Sequence, residues 1–327
     1  MEPREFGSTG VAVPVLGLGC MGLVGWYGER DDAEARATVE RALDLGMRHL
    51  DTAAVYQDGE NERFVGRCIR GRRDEVFLAT KGGMERDASG RLRVDNRPET
   101  IRRACDESLQ RLGVECIDLY YLHRRDPAVP LDDSIGALVD LVAAGKVRFI
   151  GLSEVAPATL REAHGLYPVA ALQSELSLWT RSATQPALQA CRELGVAFVA
   201  YSPLGRGFLS GRLRSVEDLP EGDTRRLFPR FSADNLAANQ AVAERLAELA
   251  GRFGCTAAQL ALAWVLAQGR GVFAIVGTKR RRYLDENLGA LAVELSAADL
   301  ETIEAALPEE LIAGERYPAG MQDSLNG

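Results

Sequence analysis

Histidines are few in this sequence and paired cysteines are missing, which limits the metal and disulfide sites that it can build. The three histidines, His49, His123 and His164, show neither H-x-H nor H-x-x-x-H spacing, so a metal-dependent hydrolase with a histidine-rich centre is disfavoured. Six cysteines are scattered over 327 residues without a C-x-x-C pair, as is typical of reduced intracellular proteins. The sequence therefore predicts no metal site and a cytoplasmic location.

Long apolar runs and an excess of positive charge are also missing. No segment approaches the ~18 consecutive apolar residues that a membrane span needs, and the first ten residues, MEPREFGSTG, lack the apolar core of a signal peptide. The net charge of −8 argues against a general nucleic-acid surface. We therefore expect neither a membrane nor a nucleic acid as a partner.

Strand-like and helix-like segments alternate along almost the whole chain. After a predicted N-terminal hairpin at 4–13, eight strand-like runs appear, at 15–20, 47–52, 76–81, 117–123, 147–153, 169–175, 196–202 and 272–277. Helical patterns lie between them, at 32–45, 61–71, 98–112, 132–144, 157–166, 184–194 and 256–267. Eight alternations predict a closed (β/α)8 TIM barrel of the α/β class rather than an open sheet.

Two further segments extend this pattern. Residues 205–239, rich in Gly, Pro and Arg, are too long for a simple connection and are predicted to be functional. An extra C-terminal helix is predicted at 296–307, followed by a tail that contains proline and glycine and runs to Gly327. No stretch has the composition of a domain linker, so residues 1–327 are predicted to form a single domain.

A glycine-rich motif near the N-terminus resembles a dinucleotide fingerprint but does not fit one. Residues 17–22, GLGCMG, match G-x-G-x-x-G after a strand. The fingerprint works only where its third glycine opens a helix, and here the helical pattern begins only near Asp32. We expect these glycines to form a tight loop after the first barrel strand, with Trp26 and Tyr27 lining a pocket.

Polar residues at the ends of the predicted strands form a proton-transfer set. Asp51 ends the second run, Tyr56 follows it by five residues, and Lys81 and His123 end the next two runs. The carboxyl ends of barrel strands meet at one rim, so these four side chains are expected to lie together. A lysine held by an aspartate would stabilise a phenolate, and the histidine would orient a carbonyl oxygen. Each residue alone has an ordinary structural explanation, but four compatible groups on successive strand ends favour chemistry.

The motifs that carry these residues resemble those of the aldo-keto reductase family from one end of the chain to the other. They are GLGCMG, LDTAAVYQDGENE, ATKGG, LYYLHRRD, GLSE, ALQSELSLW, AYSPLGRGFLSG and IVGTKRRRYLDENLGAL, in this order. The segments GLSE, SLWTR and FPRFS are similar to perakine-reductase-like and pyridoxal-reductase-like members. The resemblance implies an NADPH-dependent reduction of a small aldehyde or ketone, with Tyr56 as general acid, Lys81 and Asp51 tuning it, and His123 positioning the carbonyl.

The resemblance also implies which residues bind NADP(H) and the substrate. Ser153, Glu154 and Gln173 match contacts to the nicotinamide carboxamide, and Tyr201 matches the aromatic residue that stacks on the ring. The loop over the pyrophosphate corresponds to Ser202, Pro203, Leu204, Gly207, Leu209 and Gly211. The adenosine end corresponds to Gly277, Thr278, Lys279, Glu286 and Asn287. Loops around Trp26, Tyr27, Met84 and Arg124 are expected to shape the substrate pocket.

Two departures from the family pattern leave alternatives open. Glu154 stands where many members have asparagine, and a carboxylate can accept from the carboxamide but cannot donate to it. Tyr283 stands where many NADPH-binding members have arginine, and Arg280, Arg281 and Arg282 either compensate or form a solvated helix face. A regulatory subunit that resembles potassium-channel β-subunits, with the same barrel and cofactor, is the alternative to an enzyme.

Overall fold

Eight parallel strands close into a barrel at the centre of the computed structural model, which describes residues 1, 3–87 and 89–319. The barrel strands are β3 (Leu16–Gly19), β4 (His49–Asp51), β5 (Phe77–Gly82), β8 (Ile117–Leu122), β9 (Val147–Ser153), β10 (Ala171–Glu175), β11 (Ala197–Tyr201) and β12 (Val272–Gly277). They neighbour one another in this order, and β12 pairs with β3 to close the ring. The predicted TIM barrel and all eight of its strands are confirmed.

Helices surround the barrel. They are α1 (Asp32–Asp44), α2 (Glu60–Ile69), α3 (Pro98–Leu112), α4 (Leu131–Ala143), α5 (Pro157–Leu166), α6 (Gln185–Leu194), α7 (Ala233–Arg252), α8 (Ala257–Ala267), α9 (Arg281–Leu288) and α10 (Ala297–Ala306). By length and composition, no single helix in the described part of the chain could cross a membrane, while one pair, α7 and α8, bent by 83°, passes that test together.

The helix ends follow the capping signals in the sequence. The Asp31 carboxylate accepts a hydrogen bond from the backbone N–H of Glu34 at the start of α1, and Thr256 and Gln259 form a reciprocal capping box at the start of α8. The helix α3 begins at Pro98, which needs no N–H there, and ends at Gly113 with φ of 66°, a conformation that glycine adopts without strain. These signals explain why the predicted helix limits differ from the observed ones by only a residue or two.

An antiparallel hairpin, β1 (Pro3–Glu5) and β2 (Ala12–Pro14), precedes the barrel. Phe6, in the hairpin's loop, is fully buried, and its ring centroid lies 5.1 Å from that of Phe77 and 4.8 Å from that of Phe273. It also meets the ring of His49 edge-on at 6.0 Å. The predicted hairpin is therefore confirmed, and it fills the amino end of the barrel with an aromatic cluster, so the opposite end remains for the site.

Three elements were not predicted. A second hairpin, β6 (Met84–Arg86) with β7 (Leu92–Val94), follows β5, and helix α9 follows β12. The long helix α7 is the third: it begins at Ala233, inside the segment 205–239 that was predicted to interrupt the alternation, and the Ser232 hydroxyl caps it. The C-terminal helix is confirmed as α10, whereas residues 320–327 of the predicted tail lie outside the described residues. The single-domain assignment over 1–327 stays a prediction.

Candidate active site

The four residues of the proton-transfer set come together at the carboxyl end of the barrel. The Lys81 ammonium donates to the Asp51 carboxylate, to the Thr52 carbonyl oxygen at 2.8 Å and to the Tyr56 hydroxyl at 3.4 Å. Lys81 and Asp51 are almost completely buried. The ring centroids of Tyr56 and His123 are 5.9 Å apart, at an interplanar angle of 80°. The structure thus brings one phenol, one ammonium, one carboxylate and one imidazole into a single cluster.

Burial and neighbouring charges both shift the pKa values in this cluster. Burial raises the pKa of the Tyr56 phenol, and the nearby Lys81 ammonium opposes that rise. Burial alone would lower the pKa of Lys81, but Asp51 and Tyr56 outweigh it and raise the pKa above its ordinary value. Burial, together with Arg124 and Lys81, holds the pKa of His123 well below its usual value. His123 is therefore a neutral imidazole near pH 7, suited to hydrogen bonding rather than to delivering a proton.

The backbone after β4 is held so that Tyr56 faces the cluster. The N–H of Thr52 donates to the Ala79 carbonyl at 2.9 Å, and the N–H of Ala54 donates to the Lys81 carbonyl at 3.1 Å, which continues the pairing with β5 past the strand. A short 3-10 helix starts at Tyr56, and Gln57 and Asp58 within it have φ near +50°. Two consecutive non-glycine residues with positive φ are a costly local conformation that surrounding contacts must enforce.

A cavity of about 660 Å³ opens directly above this cluster. Of the catalytic, cofactor and substrate-pocket residues expected from the sequence, those that line it are Trp26, Tyr27, Asp51, Tyr56, Met84, His123, Arg124, Ser153, Gln173, Tyr201, Ser202, Pro203, Leu204, Gly207, Gly277, Thr278 and Lys279. Lys81 lies beneath the cavity floor, in contact with Asp51 and Tyr56. Proton-transfer residues and most of the expected cofactor residues therefore share one space.

Five of the expected cofactor residues lie outside the cavity lining: Glu154, Leu209, Gly211, Glu286 and Asn287. The Glu154 carboxylate accepts from the backbone N–H of Glu175 at 2.9 Å and from Arg316. Glu286 pairs with Arg212 at 2.5 Å. These contacts direct both carboxylates toward protein partners, and their contacts to a cofactor stay a prediction.

Polar groups beside this cluster are oriented by second partners. Gln173 donates its amide N–H to Asp51 at 2.8 Å, which leaves its carbonyl oxygen as an acceptor. The Arg124 guanidinium donates to the Ser153 hydroxyl oxygen at 3.1 Å, which leaves the hydroxyl hydrogen to donate elsewhere. His123 Nδ1 is buried without a hydrogen-bond partner in the described part of the protein. One acceptor and one donor, on Gln173 and Ser153, thus remain for a ligand that carries polar groups.

At the other end of the cavity the three consecutive arginines have different roles. Arg280 lines the cavity, whereas Arg281 pairs with Glu34 at 2.8 Å. The guanidinium of Arg282 lies 4.4 Å from the ring centroid of Tyr283, which lines the cavity. Of the three, Arg280 lines the cavity beside Lys279, whereas Arg281 and Arg282 do not line it.

The loop after β3 and the loop before α7 meet across the cavity. The N–H of Gly28 donates to the Asp223 carboxylate at 2.9 Å, and the Thr224 hydroxyl donates to the Trp26 carbonyl at 3.1 Å. The Lys279 ammonium donates to the carbonyl oxygens of Tyr27 and Glu29. These contacts support the prediction that the long segment after the seventh strand has a functional position, because it covers the site.

Several lining residues escaped sequence reasoning, among them Arg206, Arg225, Phe228 and Tyr317. Arg206 lies within the AYSPLGRGFLSG motif, so that motif could have indicated it. Tyr317 lies in the C-terminal segment, where no pattern in the sequence points to the barrel. No group of three metal-ligating side chains occurs among residues 1, 3–87 and 89–319.

Comparisons with known proteins agree with this geometry. Residues 15–308 match the family model described as "Aldo/keto reductase family". The chain is 43% identical to "Probable aldo-keto reductase 1" of Glycine max over 98% of its length and 93% of that protein's. It is 44% identical to the aldo-keto reductase yakc of Schizosaccharomyces pombe, whose name specifies NADP(+), over 97% and 94% of the two chains.

Solved structures show the same architecture. A glycerol dehydrogenase of Gluconobacter oxydans superimposes with a TM-score of 0.84 at 28% identity, over 94% of this chain and 95% of that one. An aldo-keto reductase of Bacillus halodurans in its holo form superimposes with a TM-score of 0.76 at 29% identity, over 94% and 97% of the two chains.

Proposed function

Because the chain belongs to the aldo/keto reductase family, we propose that it reduces an aldehyde or ketone to the alcohol with NADPH as hydride donor and Tyr56 as proton donor. The observation that carries this proposal is the Tyr56 hydroxyl 3.4 Å from the Lys81 ammonium, at the floor of a large cavity. Oxidoreductase chemistry on carbonyl groups is the family's activity, and the roles of individual residues are our proposal.

The residues around the cavity suit a nicotinamide cofactor. Bound there, NADPH supplies the hydride. Ser153 and Gln173 offer one donor and one acceptor to a carboxamide, and the Tyr201 ring lines the same wall. Lys279 and Arg280 supply positive charge at the other end for a 2′-phosphate, and the S. pombe relative whose name specifies NADP(+) favours the same cofactor. Gly28, Gly207 and Gly277 line the cavity without side chains that would narrow it.

The chain's own groups divide the proton chemistry between them. His123, neutral near pH 7, donates a hydrogen bond to the carbonyl oxygen and holds it beside the Tyr56 hydroxyl. Tyr56 gives its proton to that oxygen, and Lys81 stabilises the phenolate that remains. Asp51 and the Thr52 carbonyl keep the ammonium charged and aimed at Tyr56. General acid catalysis of this kind contributes about 10²–10⁴-fold to the rate.

A panel of aldehydes and ketones, run with NADPH and NADH in parallel on wild type and Tyr56→Phe, tests the proposal. We expect pyridoxal or small aromatic aldehydes to be reduced by wild type, since the GLSE, SLWTR and FPRFS segments are similar to the perakine-reductase-like and pyridoxal-reductase-like branch, to which we propose the chain belongs. Tyr56→Phe should lose about 10²-fold or more in kcat while the Kd for NADPH stays within a few-fold. Wild-type turnover in Tyr56→Phe would refute Tyr56 as the acid.

A further inference from the structure

The C-terminal segment crosses the carboxyl end of the barrel and places one arginine against three neighbouring strands. Arg316 donates from Nε to the Glu175 carboxylate at 2.7 Å and from Nη2 to the Tyr201 hydroxyl at 2.8 Å, and it also pairs with Glu154. Glu154 directly follows β9, Glu175 ends β10 and Tyr201 ends β11. A single guanidinium therefore joins the ends of three adjacent strands at the edge of the proposed active site.

Both carboxylates in this contact are buried, and Glu175 depends on arginine for its charge. Glu154 is 3% exposed and Glu175 is 1% exposed. Burial alone would raise the pKa of Glu175, but Arg316 and Arg206 outweigh it and lower that pKa to about 2. A buried carboxylate without a cation is costly, so packing the C-terminal segment, which carries Arg316, against the barrel stabilises the fold.

The same segment fixes the orientation of Tyr201. The Tyr201 hydroxyl bonds with the Tyr317 hydroxyl at 2.7 Å in addition to accepting from Arg316. Both tyrosines line the cavity, and the guanidinium of Arg206 lies 4.9 Å from the ring centroid of Tyr317. With its hydroxyl held by two partners from one segment, the Tyr201 ring has little freedom to turn away from the cavity.

We propose that Arg316 is a positioning residue for the cofactor site, which holds the Tyr201 ring in place for the nicotinamide while Glu154 and Glu175 serve as its counter-ions. Glu154 then acts on the cofactor through Arg316 and Tyr201 and not by direct contact, which accounts for a carboxylate at a position where the family often has asparagine. This inference rests on the proposed NADPH-dependent function.

The test compares two ligands that occupy different ends of the cavity. NADPH reaches the nicotinamide end, whereas adenosine 2′,5′-bisphosphate carries only the adenosine end. Arg316→Met should weaken NADPH binding about tenfold, the typical value of one charge-assisted hydrogen bond, and leave the Kd for adenosine 2′,5′-bisphosphate within about twofold. Equal weakening of both ligands would show that Arg316 only supports the fold, and would overturn the inference.

Double-variant cycles test the route of the effect. In a Tyr201→Leu background, Arg316→Met should weaken NADPH binding no further, because the ring that it positions is gone. Glu154→Gln should weaken NADPH binding in wild type and have no effect in the Arg316→Met background. Additive losses in either cycle would refute the proposed route. Arg245→Met is the control, since it removes an exposed arginine outside the cavity and should leave both Kd values unchanged.

Milder variants keep the test decisive if Arg316→Met does not fold. Arg316→Lys keeps the charge but not the forked geometry, and should give an intermediate loss of NADPH affinity. Unchanged NADPH affinity in both Arg316→Lys and Glu154→Gln would contradict the inference. Failure of wild type to bind NADPH or to reduce any carbonyl in the panel would instead overturn the proposed function, so the two failures are distinguishable.

Discussion

Replacing Lys81 separates the stability of the site from its chemistry. Lys81→Met removes the cation that the buried Asp51 carboxylate faces and leaves Gln173 as a hydrogen-bond donor to it. Breaking a buried ion pair from one side costs about 3–5 kcal/mol, which lowers Tm by roughly 4–7 °C in a chain of this size. Turnover should fall by at least about 10²-fold, because the Tyr56 phenolate loses its stabilising charge.

The double variant Lys81→Met/Asp51→Asn makes this reasoning testable. It removes the uncompensated charge and retains an acceptor for Gln173, so most of the lost stability should return while activity stays low. Because Asp51 and Tyr56 outweigh burial and raise the pKa of Lys81, this lysine stays charged from about pH 6 to 9 and the stability loss should be constant there. Differential scanning calorimetry and chemical denaturation measure the stability, and an aldehyde assay measures turnover.

Lys146→Met provides the matched control for this experiment. Lys146 pairs with Asp106 at 2.5 Å, but both side chains are more than a third exposed. Exposed pairs contribute about 0–1 kcal/mol, so this variant should keep nearly the wild-type Tm and full activity. If Lys81→Met cost no more stability than Lys146→Met, the buried pair would not carry the energy that its geometry implies.

Three further variants test other parts of the structure. Lys279→Ala should weaken NADPH binding roughly tenfold and NADH binding less, measured by fluorescence quenching; equal weakening would exclude a 2′-phosphate role. Glu175→Gln should cost about 3 kcal/mol at neutral pH, because the folded pKa of Glu175 is about 2 and its ordinary value is 4.5. This stabilisation is fully present above pH 4.5 and is lost as the pH falls toward 2, so wild type and variant should differ less in unfolding free energy at low pH. The same difference in unfolding free energy at about pH 3 and about pH 7 would contradict this. Gly66→Ala should destabilise by about 1–3 kcal/mol in urea unfolding, because the added Cβ would lie 2.3 Å from the Leu112 carbonyl oxygen; wild-type stability would show that α2 and α3 can move apart.

The barrel was predictable because its signals are local. Apolar runs mark each strand, and capping residues such as Asp31 mark helix starts within a few positions along the chain. The meeting of Asp51, Lys81 and His123 was predictable as well, because carboxyl ends of parallel barrel strands always share one rim. The barrel topology therefore predicted that these three side chains meet, which their spacing along the chain alone could not.

What the sequence did not reveal depends on contacts between distant residues. Arg316 lies 162 positions from Glu154, and nothing in the local pattern of either residue indicates the other. The direction of the Glu154 side chain follows from that pairing. A comparison of motifs around Glu154 does not include Arg316, and it therefore suggested a cofactor contact. The surroundings of Tyr283 were equally hidden in the sequence. The guanidinium of Arg212, from the loop after β11, lies 3.9 Å from its ring centroid, on a residue 71 positions away. The adjacent Arg282 lies 4.4 Å from the same centroid.

The closure of the barrel by β12 and β3 has a consequence for how the protein is made. Leu16, near the start of the chain, pairs with Ala274, so a ribosome must synthesise most of the sequence before the ring can close. Phe6 likewise packs against Phe273, which is synthesised late. Until then the emerging strands have an unpaired edge, which favours aggregation. Translation products that end before β12 contain neither a closed ring nor a complete site.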